Sequence, residues 1–487
     1  MKYNYGAKWR TEVVIKSNYW AISSKKNAIK KERKKEQKEK KNARRRLLPM
    51  LSPAPVAQPR PPSRSQEPQR GIIYVQPSYH YTNTRQLSFA AFERDLVSIA
   101  ALPKKVVNLG LRVSWGDLMT HWNATTQTAS YNESYCTKLG AMARALEARG
   151  MKLVFNTHLK EHVPTGLPGI LWRPPTPDIY NVSGGAGDDV WRSSYGDLMV
   201  RDEYAQPILA FHEKFAACLA PGTGVRWWKH AFESCYLFPS PAANKNADAA
   251  RTKFALWAEA QNASIAHWAE RWDESNLRSF SSVTLPNQTN GKLDAAARAK
   301  HGDFFRFWLL GVLRDGTYGL SIPAIAAALQ RGAAASGWRS GVSLGFKHWQ
   351  VMNFQRLTDL TQAELQRAFD LPGVNLTALG YYVNTEAELA QEPALFDTYI
   401  NATRAVAPVN LPMVVWETGA STLALSPAQQ ASWLDMVEAA VVRHKLLGFN
   451  WWQIVDWAPR PGEKDGIGLH FGLTFLNGTR KDAWGGM

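Results

Sequence analysis

The sequence predicts an α/β fold, a (β/α)8 TIM barrel, on three observations. From Gly71 onward, short β-branched or aromatic runs alternate with helical patterns, the order that yields parallel strands joined by crossover helices. Eight such runs occur, at 71–76, 105–113, 151–156, 225–231, 341–346, 374–381, 411–416 and 446–452. Their span, roughly 400 residues, suits a barrel with insertions. A doubly wound open sheet is the alternative, because alternation by itself does not close a sheet.

The helical patterns between the strands carry their own punctuation. Residues 132–149 place Leu139, Met142 and Leu146 on one face and end at Gly150, a good C-cap. Residues 425–445 open with Ser426-Pro427, an N-cap followed by proline at the first helical position. The longest insertion follows the fourth strand. It is predicted to hold two aromatic helices, 248–275 with Phe254, Trp257, Trp268 and Trp272, and 298–330 with Phe304, Phe305, Phe307 and Trp308. These aromatics are expected to pack the helices on the barrel, with a few left to roof its open end.

Composition bounds the rest. The chain has 487 residues, 45% of them apolar, enough for a large buried core. Its 20 Trp exceed what a core needs. A Trp-rich core and aromatic platforms for sugar rings are the two uses of such a surplus. The net charge of +17 would suggest nucleic acid, but its distribution argues otherwise. Residues 1–70 hold 20 Lys/Arg against 5 Asp/Glu, and the remainder 38 against 36, so the basicity belongs to the tail. Residues 25–46 are low-complexity and 47–70 are rich in Pro, Ser, Gln and Arg. Residues 1–70 are therefore predicted to be a disordered basic tail or leader ahead of a barrel domain at 71–487, for which no nucleic acid is expected. A nuclear-localisation or RNA-binding role is one reading of the tail, and an uncleaved leader is the other. No apolar run is long enough to cross a membrane as a helix. Cys136, Cys218 and Cys235 are too few for a disulfide scaffold, leaving room for one bridge, and their spacing suggests no zinc site. Eight Asn-x-Ser/Thr sequons, at Asn123, Asn132, Asn181, Asn262, Asn287, Asn375, Asn401 and Asn477, lean toward secretion, although Asn375 falls in a predicted strand.

In such barrels the working residues stand at the C-terminal ends of the strands. Read there, strand two supplies Arg112, Trp115 and Asp117, and strand three Asn156 and His158. Strand four supplies His230 and Glu233, strand five Lys347, His348 and Gln350, and strand six Tyr381, Tyr382 and Asn384. Strand seven ends at Glu417, and strand eight at Trp451, Trp452, Gln453 and Asp456. The collection is acidic, aromatic and hydrogen-bonding. Its histidines are isolated, which predicts no metal, and two-carboxylate chemistry needs no cofactor. Glu233 and Glu417 come from opposite sides of the barrel mouth, so their side chains can face each other. Two carboxyl groups about 5 Å apart are what retaining cleavage of a glycosidic bond requires. A Glu at a strand end is more often an ion-pair partner, and it is the pairing that carries the reading.

Here the sequence resembles clan A of the retaining glycoside hydrolases, with family 5 (cellulase-like) and family 42 (β-galactosidase-like) as the nearest patterns. The resemblance covers about residues 71–484. Val414-Val415-Trp416-Glu417-Thr418-Gly419 resembles the nucleophile strand, and Trp227-Trp228-Lys229-His230-Ala231-Phe232-Glu233 stands where the acid/base strand should be. The resemblance implies that Arg112 hydrogen-bonds the nucleophile, that Tyr381 or Tyr382 lies beside it, and that Trp451 or Trp452 floors the sugar site. Asn156-Thr157-His158 resembles the clan's Asp-x-His, with Asn for Asp, which places His158 at the substrate; His230 is a further candidate contact. Phe471-Gly472-Leu473 and the segment after it resemble the clan's usual close.

One departure stands out. The clan has Asn before the acid/base Glu, binding the sugar 2-hydroxyl, and this chain has Phe232. That leaves a different 2-hydroxyl contact, through His230 or Asn353, a substrate modified at that position, or a barrel that binds sugar without cleaving it. The expected activity is double displacement at a β-glycosidic bond. The rivals are an inactive carbohydrate-binding barrel and a metal-dependent TIM-barrel hydrolase, the second lacking its His/Asp cluster.

Overall fold

The computed structural model describes residues 68–73, 89–158, 164–167, 198–219, 225–230, 247–286, 288–289, 292–293, 298–336, 341–347, 358–374, 376–408, 410–457 and 469–487. All belong to the compact unit Ala57–Met487. Eight parallel strands close into a barrel: β1 (Gln69–Ile73), β2 (Val106–Ser114), β3 (Lys152–His158), β4 (Val225–His230), β5 (Gly341–Lys347), β6 (Leu376–Val383), β7 (Met413–Ala420) and β8 (Gly448–Trp452). Each pairs with its successor, and β8 pairs with β1, Gln69 opposite Gly448 and Ile73 opposite Trp452. The open-sheet alternative is therefore excluded.

The strands are apolar on both faces because both are covered. β7 and β8 are buried at every position. Inside the barrel, Leu376 and Ala378 of β6 meet Val154, Val414, Trp416 and Leu447. On the outside, the alternate residues Leu379, Tyr381 and Val383 join the large cluster shared with the helices.

The helices start where the sequence marks them. α1 (Phe89–Ala100) buries Phe92, Leu96 and Ile99. α2 (Glu133–Glu147) is capped by Asn132, whose side chain accepts from the Tyr135 amide. Past its end Gly150 sits at φ +69, a left-handed conformation that favours glycine. α3 (Asp202–Cys218) is tied to α2 by the disulfide Cys136–Cys218, the single bridge the cysteine count leaves room for. Closing a loop of 82 residues restricts the unfolded chain and stabilises by about 2–4 kcal/mol.

Between β4 and β5 the two predicted aromatic helices are divided. The segment 248–275 becomes α4 (Ala247–Ala260) and α5 (Ile265–Arg271), separated at Asn262, which adopts φ 58. The segment 298–330 becomes α6 (Arg298–Phe305), continued by a π-helical stretch Arg306–Arg314, and then α7 (Ile322–Ser336). Gly316, at φ 64, makes that break. The aromatics pack on one another: Phe254 stacks on Trp257 at 5.7 Å and on Trp272 at 5.5 Å, and meets Phe304 edge-on at 5.4 Å. Trp257, Trp268, Trp272, Phe307 and Trp308 are all buried. This cluster accounts for part of the Trp surplus as core.

Beyond β5 come α8 (Gln362–Phe369), α9 (Ala394–Val406) and α10 (Pro427–Arg443). Ser426 and Gln429 form a reciprocal capping box at the start of α10, with Pro427 in its first turn. Among the described residues no helix is long and apolar enough to cross a membrane.

One strand–helix contact is pH-sensitive. His212 of α3 is fully buried, its Nδ1 bonded to the Ile208 carbonyl at 2.7 Å and its Nε2 3.1 Å from the Thr157 hydroxyl on β3. Burial pushes its pKa from the ordinary 6.5 down to about 4, against the Ile208 bond, so the folded ring is neutral. The stability it contributes is whole above pH 6.5. Below that only the unfolded chain takes up the proton, and the contribution is lost as pH falls through about 4. The loss is on the order of 3 kcal/mol. Urea denaturation at pH 7 and pH 4 should show a smaller drop for His212→Gln, which keeps a donor and an acceptor but does not titrate. Equal drops would refute the assignment.

Candidate active site

The C-terminal strand ends form one mouth of the barrel, and β7 brings Glu417 to it. Along β7, Val414 and Trp416 face inward and Val415 outward. Strict alternation would turn Glu417 outward as well. It does not, because β7 carries one extra residue at this point. Leu379 and Gly380 of β6 are set opposite Val415 and Glu417, and Phe449 and Trp451 of β8 opposite Val415 and Thr418. A bulge of this kind re-aims the side chain that follows it. Glu417 thus reaches the inside, 2% exposed, while Thr418 turns outward to accept from Trp433 Nε1 of α10 at 3.2 Å.

Tyr382 of β6 donates its hydroxyl to Glu417 Oε2 at 3.1 Å. Glu417 Oε1 is buried and finds no hydrogen-bond partner among the described residues. Among the described residues one carboxylate oxygen is therefore held and the other has no partner, a geometry compatible with nucleophilic attack.

The tyrosine and tryptophan pairs are each divided between the two faces of the sheet. Tyr381 faces the helices, packed on Phe396, Tyr399 and Trp433, and hydrogen-bonds Glu392. Trp451 also faces outward, its Nε1 donating to the Phe471 carbonyl at 3.0 Å. Trp452 faces the mouth in a cluster with Ile73, Trp457, Leu469 and Phe471, against which Tyr382 packs. Trp457 meets Trp452 edge-on at 5.6 Å, and Phe471 lies 5.1 Å from Tyr382. Trp457, which sequence reading missed, follows strand eight by five residues and gives no motif signal of its own.

The backbone places Arg112 near the end of β2, opposite Asn156, and His158 last in β3, opposite Ser114. His230 is the last residue of β4. Glu233, Phe232, His348, Gln350 and Asn353 lie outside the described residues, as do residues 1–67. Trp115 and Asp117 sit on a short helix, Trp115–Leu118, that continues from β2. Asp456 is engaged in a buried ion pair with Lys481 at 2.7 Å. Among the described residues no group of His, Cys, Asp and Glu is arranged to hold a metal ion.

The two tyrosines give a sharp comparison. Tyr382→Phe removes a bond to a buried carboxylate, of the kind worth about 1.5–3 kcal/mol, and should lower kcat/KM about ten- to hundredfold. Tyr381→Phe should leave kcat/KM within about twofold and lower only the unfolding temperature. Steady-state kinetics on both variants checks the assignment of faces.

No protein-family model matches the sequence, and no curated protein matches it. Solved structures do match, over most of the chain. An exo-β-1,4-mannosidase, Op5Man5, from Opitutaceae bacterium strain TAV5 is 14% identical with a TM-score of 0.47, covering 89% of this chain and 60% of that one. A GH5_18 from Bifidobacterium longum subsp. infantis is 13% identical with a TM-score of 0.50, covering 86% of this chain and 77% of that one. A polyextremophilic β-galactosidase from the Antarctic haloarchaeon Halorubrum lacusprofundi is 14% identical with a TM-score of 0.50, covering 85% of this chain and 56% of that one. The match thus takes in less than two thirds of the mannosidase and of the β-galactosidase. At these identities the likeness is one of fold, and that fold is the barrel of GH5_18 and β-galactosidase structures, the one the clan A resemblance calls for.

Proposed function

We propose that this chain is a retaining glycoside hydrolase that cleaves β-glycosidic bonds, with Glu417 as nucleophile and Glu233 as acid/base. The observation that carries the reading is Glu417, turned into the barrel by a bulge, with one oxygen held by Tyr382 and the other buried without a partner among the described residues. In the first step Glu417 attacks the anomeric carbon. The bond to the leaving oxygen breaks, and Glu233 gives that oxygen its proton. In the second step Glu233, now a carboxylate, takes a proton from water. The water oxygen attacks the same carbon and releases Glu417. Two inversions return the starting configuration. Arg112 and Tyr382 hold the nucleophile, Trp452 is the sugar floor, and His158 and His230 are substrate contacts.

In this proposal the tail expected at residues 1–70 gives up its last two residues, Gln69 and Arg70, to β1, and the part before β1 lies outside the catalytic barrel. The helices between β4 and β5 are an insertion beside the mouth. The Cys136–Cys218 bridge and the exposed sequons at Asn123, Asn262, Asn401 and Asn477 fit an oxidising, secretory route.

Phe232, in place of Asn, favours one second reading, a barrel that binds sugar and does not cut it. A panel of β-galactosides, β-mannosides and β-glucans, with release of reducing sugar as readout, decides between them. Cleavage of one class supports the hydrolase and names its substrate. Binding of a glycan with no cleavage across the panel supports the second reading.

A further inference from the structure

We infer that Asn450 is a positioning residue for Glu417, an inference that rests on the reading of Glu417 as nucleophile. The bulge that turns Glu417 inward shifts the register of β7 against both β6 and β8 at Trp416. A buried carbonyl without a partner is unfavourable, so something must satisfy it. Asn450, in the middle of β8 and fully buried, does so: its Nδ2 donates to the Trp416 carbonyl at 3.0 Å. That carbonyl belongs to the peptide bond that leads directly into Glu417. The side chain of one strand thus fixes the backbone turn that aims the carboxylate of the next.

Two features support a dedicated role. An Asn inside an otherwise apolar strand is costly unless its amide is used, and here Oδ1 finds no partner among the described residues. One hydrogen bond to Trp416 is the use the described structure shows for it. In addition, the position opposite Asn450 on β1 is Gly71. A Cβ there would lie 2.0 Å from Asn450 Oδ1 and 2.8 Å from Asn108 Cβ. The glycine gives Asn450 the room to lie across to Trp416. The chain of effect runs from Gly71 to Asn450, to the Trp416 carbonyl, to Glu417 and to Tyr382.

The test uses the full chain and two variants, with the aryl β-glycoside that the wild type cleaves. Asn450→Leu has a similar volume and no donor. Asn450→Asp has the same shape and donates only while its carboxyl is protonated. Displacement of a reacting group by about 1 Å costs up to about a hundredfold in rate. Asn450→Leu should therefore lower kcat about ten- to hundredfold with KM within about twofold. Asn450→Asp should regain kcat as pH falls and the introduced carboxyl becomes protonated. A crystal structure of Asn450→Leu should show Tyr382 and Glu417 no longer hydrogen-bonded. A residue that merely fills the barrel would lower the unfolding temperature without moving the pH profile of kcat.

A folded Asn450→Leu with kcat within about twofold of wild type, or with the Tyr382–Glu417 bond unchanged in its crystal structure, overturns the inference. Glu417→Gln, assayed in parallel, tests the underlying reading by itself. Full activity there removes the nucleophile and the positioning role together. Loss of activity there, with Asn450→Leu unimpaired, removes only the positioning role.

Discussion

Glu417→Gln should lower kcat on the most rapidly cleaved glycoside by on the order of 10⁴-fold or more if Glu417 is the proposed nucleophile, because an amide cannot replace the carboxylate in attack on the anomeric carbon. Glu233→Gln should lose less, about 10²–10⁴-fold, the usual worth of general acid–base catalysis. Its loss should shrink on aryl glycosides with good leaving groups, which need little protonation. Azide separates the two roles by stereochemistry. In a Glu233→Ala variant, azide attacks the glycosyl-enzyme without needing a base, and two inversions give the β-glycosyl azide. In a Glu417→Ala variant, azide takes the place of the carboxylate, and a single inversion gives the α-glycosyl azide. Polarimetry or proton NMR of the products reads the difference. The same azide anomer from both variants would break the assignment of roles.

Lys481→Met should destabilise the fold by about 3–5 kcal/mol, the usual consequence of leaving a buried charge without its partner. Lys481 is fully buried and Asp456 nearly so, with Nζ 2.7 Å from Asp456 Oδ1 and 2.7 Å from the Thr422 hydroxyl. Asp456 also accepts from the Gly472 amide at 2.8 Å. Burial pushes the Asp456 pKa up and the Lys481 pKa down, so desolvation weighs heavily on both ends of the pair. Replacing both, as in Asp456→Leu with Lys481→Met, should recover most of the loss, since neither charge then remains. Guanidinium denaturation of the two single variants and the double variant gives the coupling energy directly. A single Lys481→Met loss below about 1 kcal/mol would mean that water reaches the pair. The pair also fixes the segments that carry Trp457 and Phe471 to the mouth, so the single variant should lose substrate affinity in step with stability.

The strands were legible because a strand covered on both faces writes itself as a short continuous apolar run. The eight predicted runs fall on β1 to β8, with ends displaced by a few residues. β6 and β7 begin and end two or more residues later than their runs, since apolar residues such as Leu411 precede the ladder without joining it. Helix division was less legible. An aromatic stripe continues across Asn262 and across Asp315-Gly316, and only those turn-forming residues announce the breaks. Which member of Tyr381/Tyr382 or of Trp451/Trp452 faces the mouth depends on the phase of a two-residue alternation, and no local feature sets that phase. The bulge at Trp416 shifts it again for Glu417. Asn450 had a signal, a polar residue inside an apolar run, but its meaning needs the neighbouring carbonyl.

The seam between β1 and β8 has a consequence for biosynthesis. Residues 69–73 emerge from the ribosome long before the strand that pairs with them across the seam, residues 448–452. During elongation β1 must wait with one edge unpaired, and such an edge is a template for pairing with other chains. Contacts so remote in sequence are slow to form, and the incomplete sheet is prone to aggregate meanwhile. Production of this protein should therefore respond more to translation rate and chaperone supply than to the stability of the finished barrel.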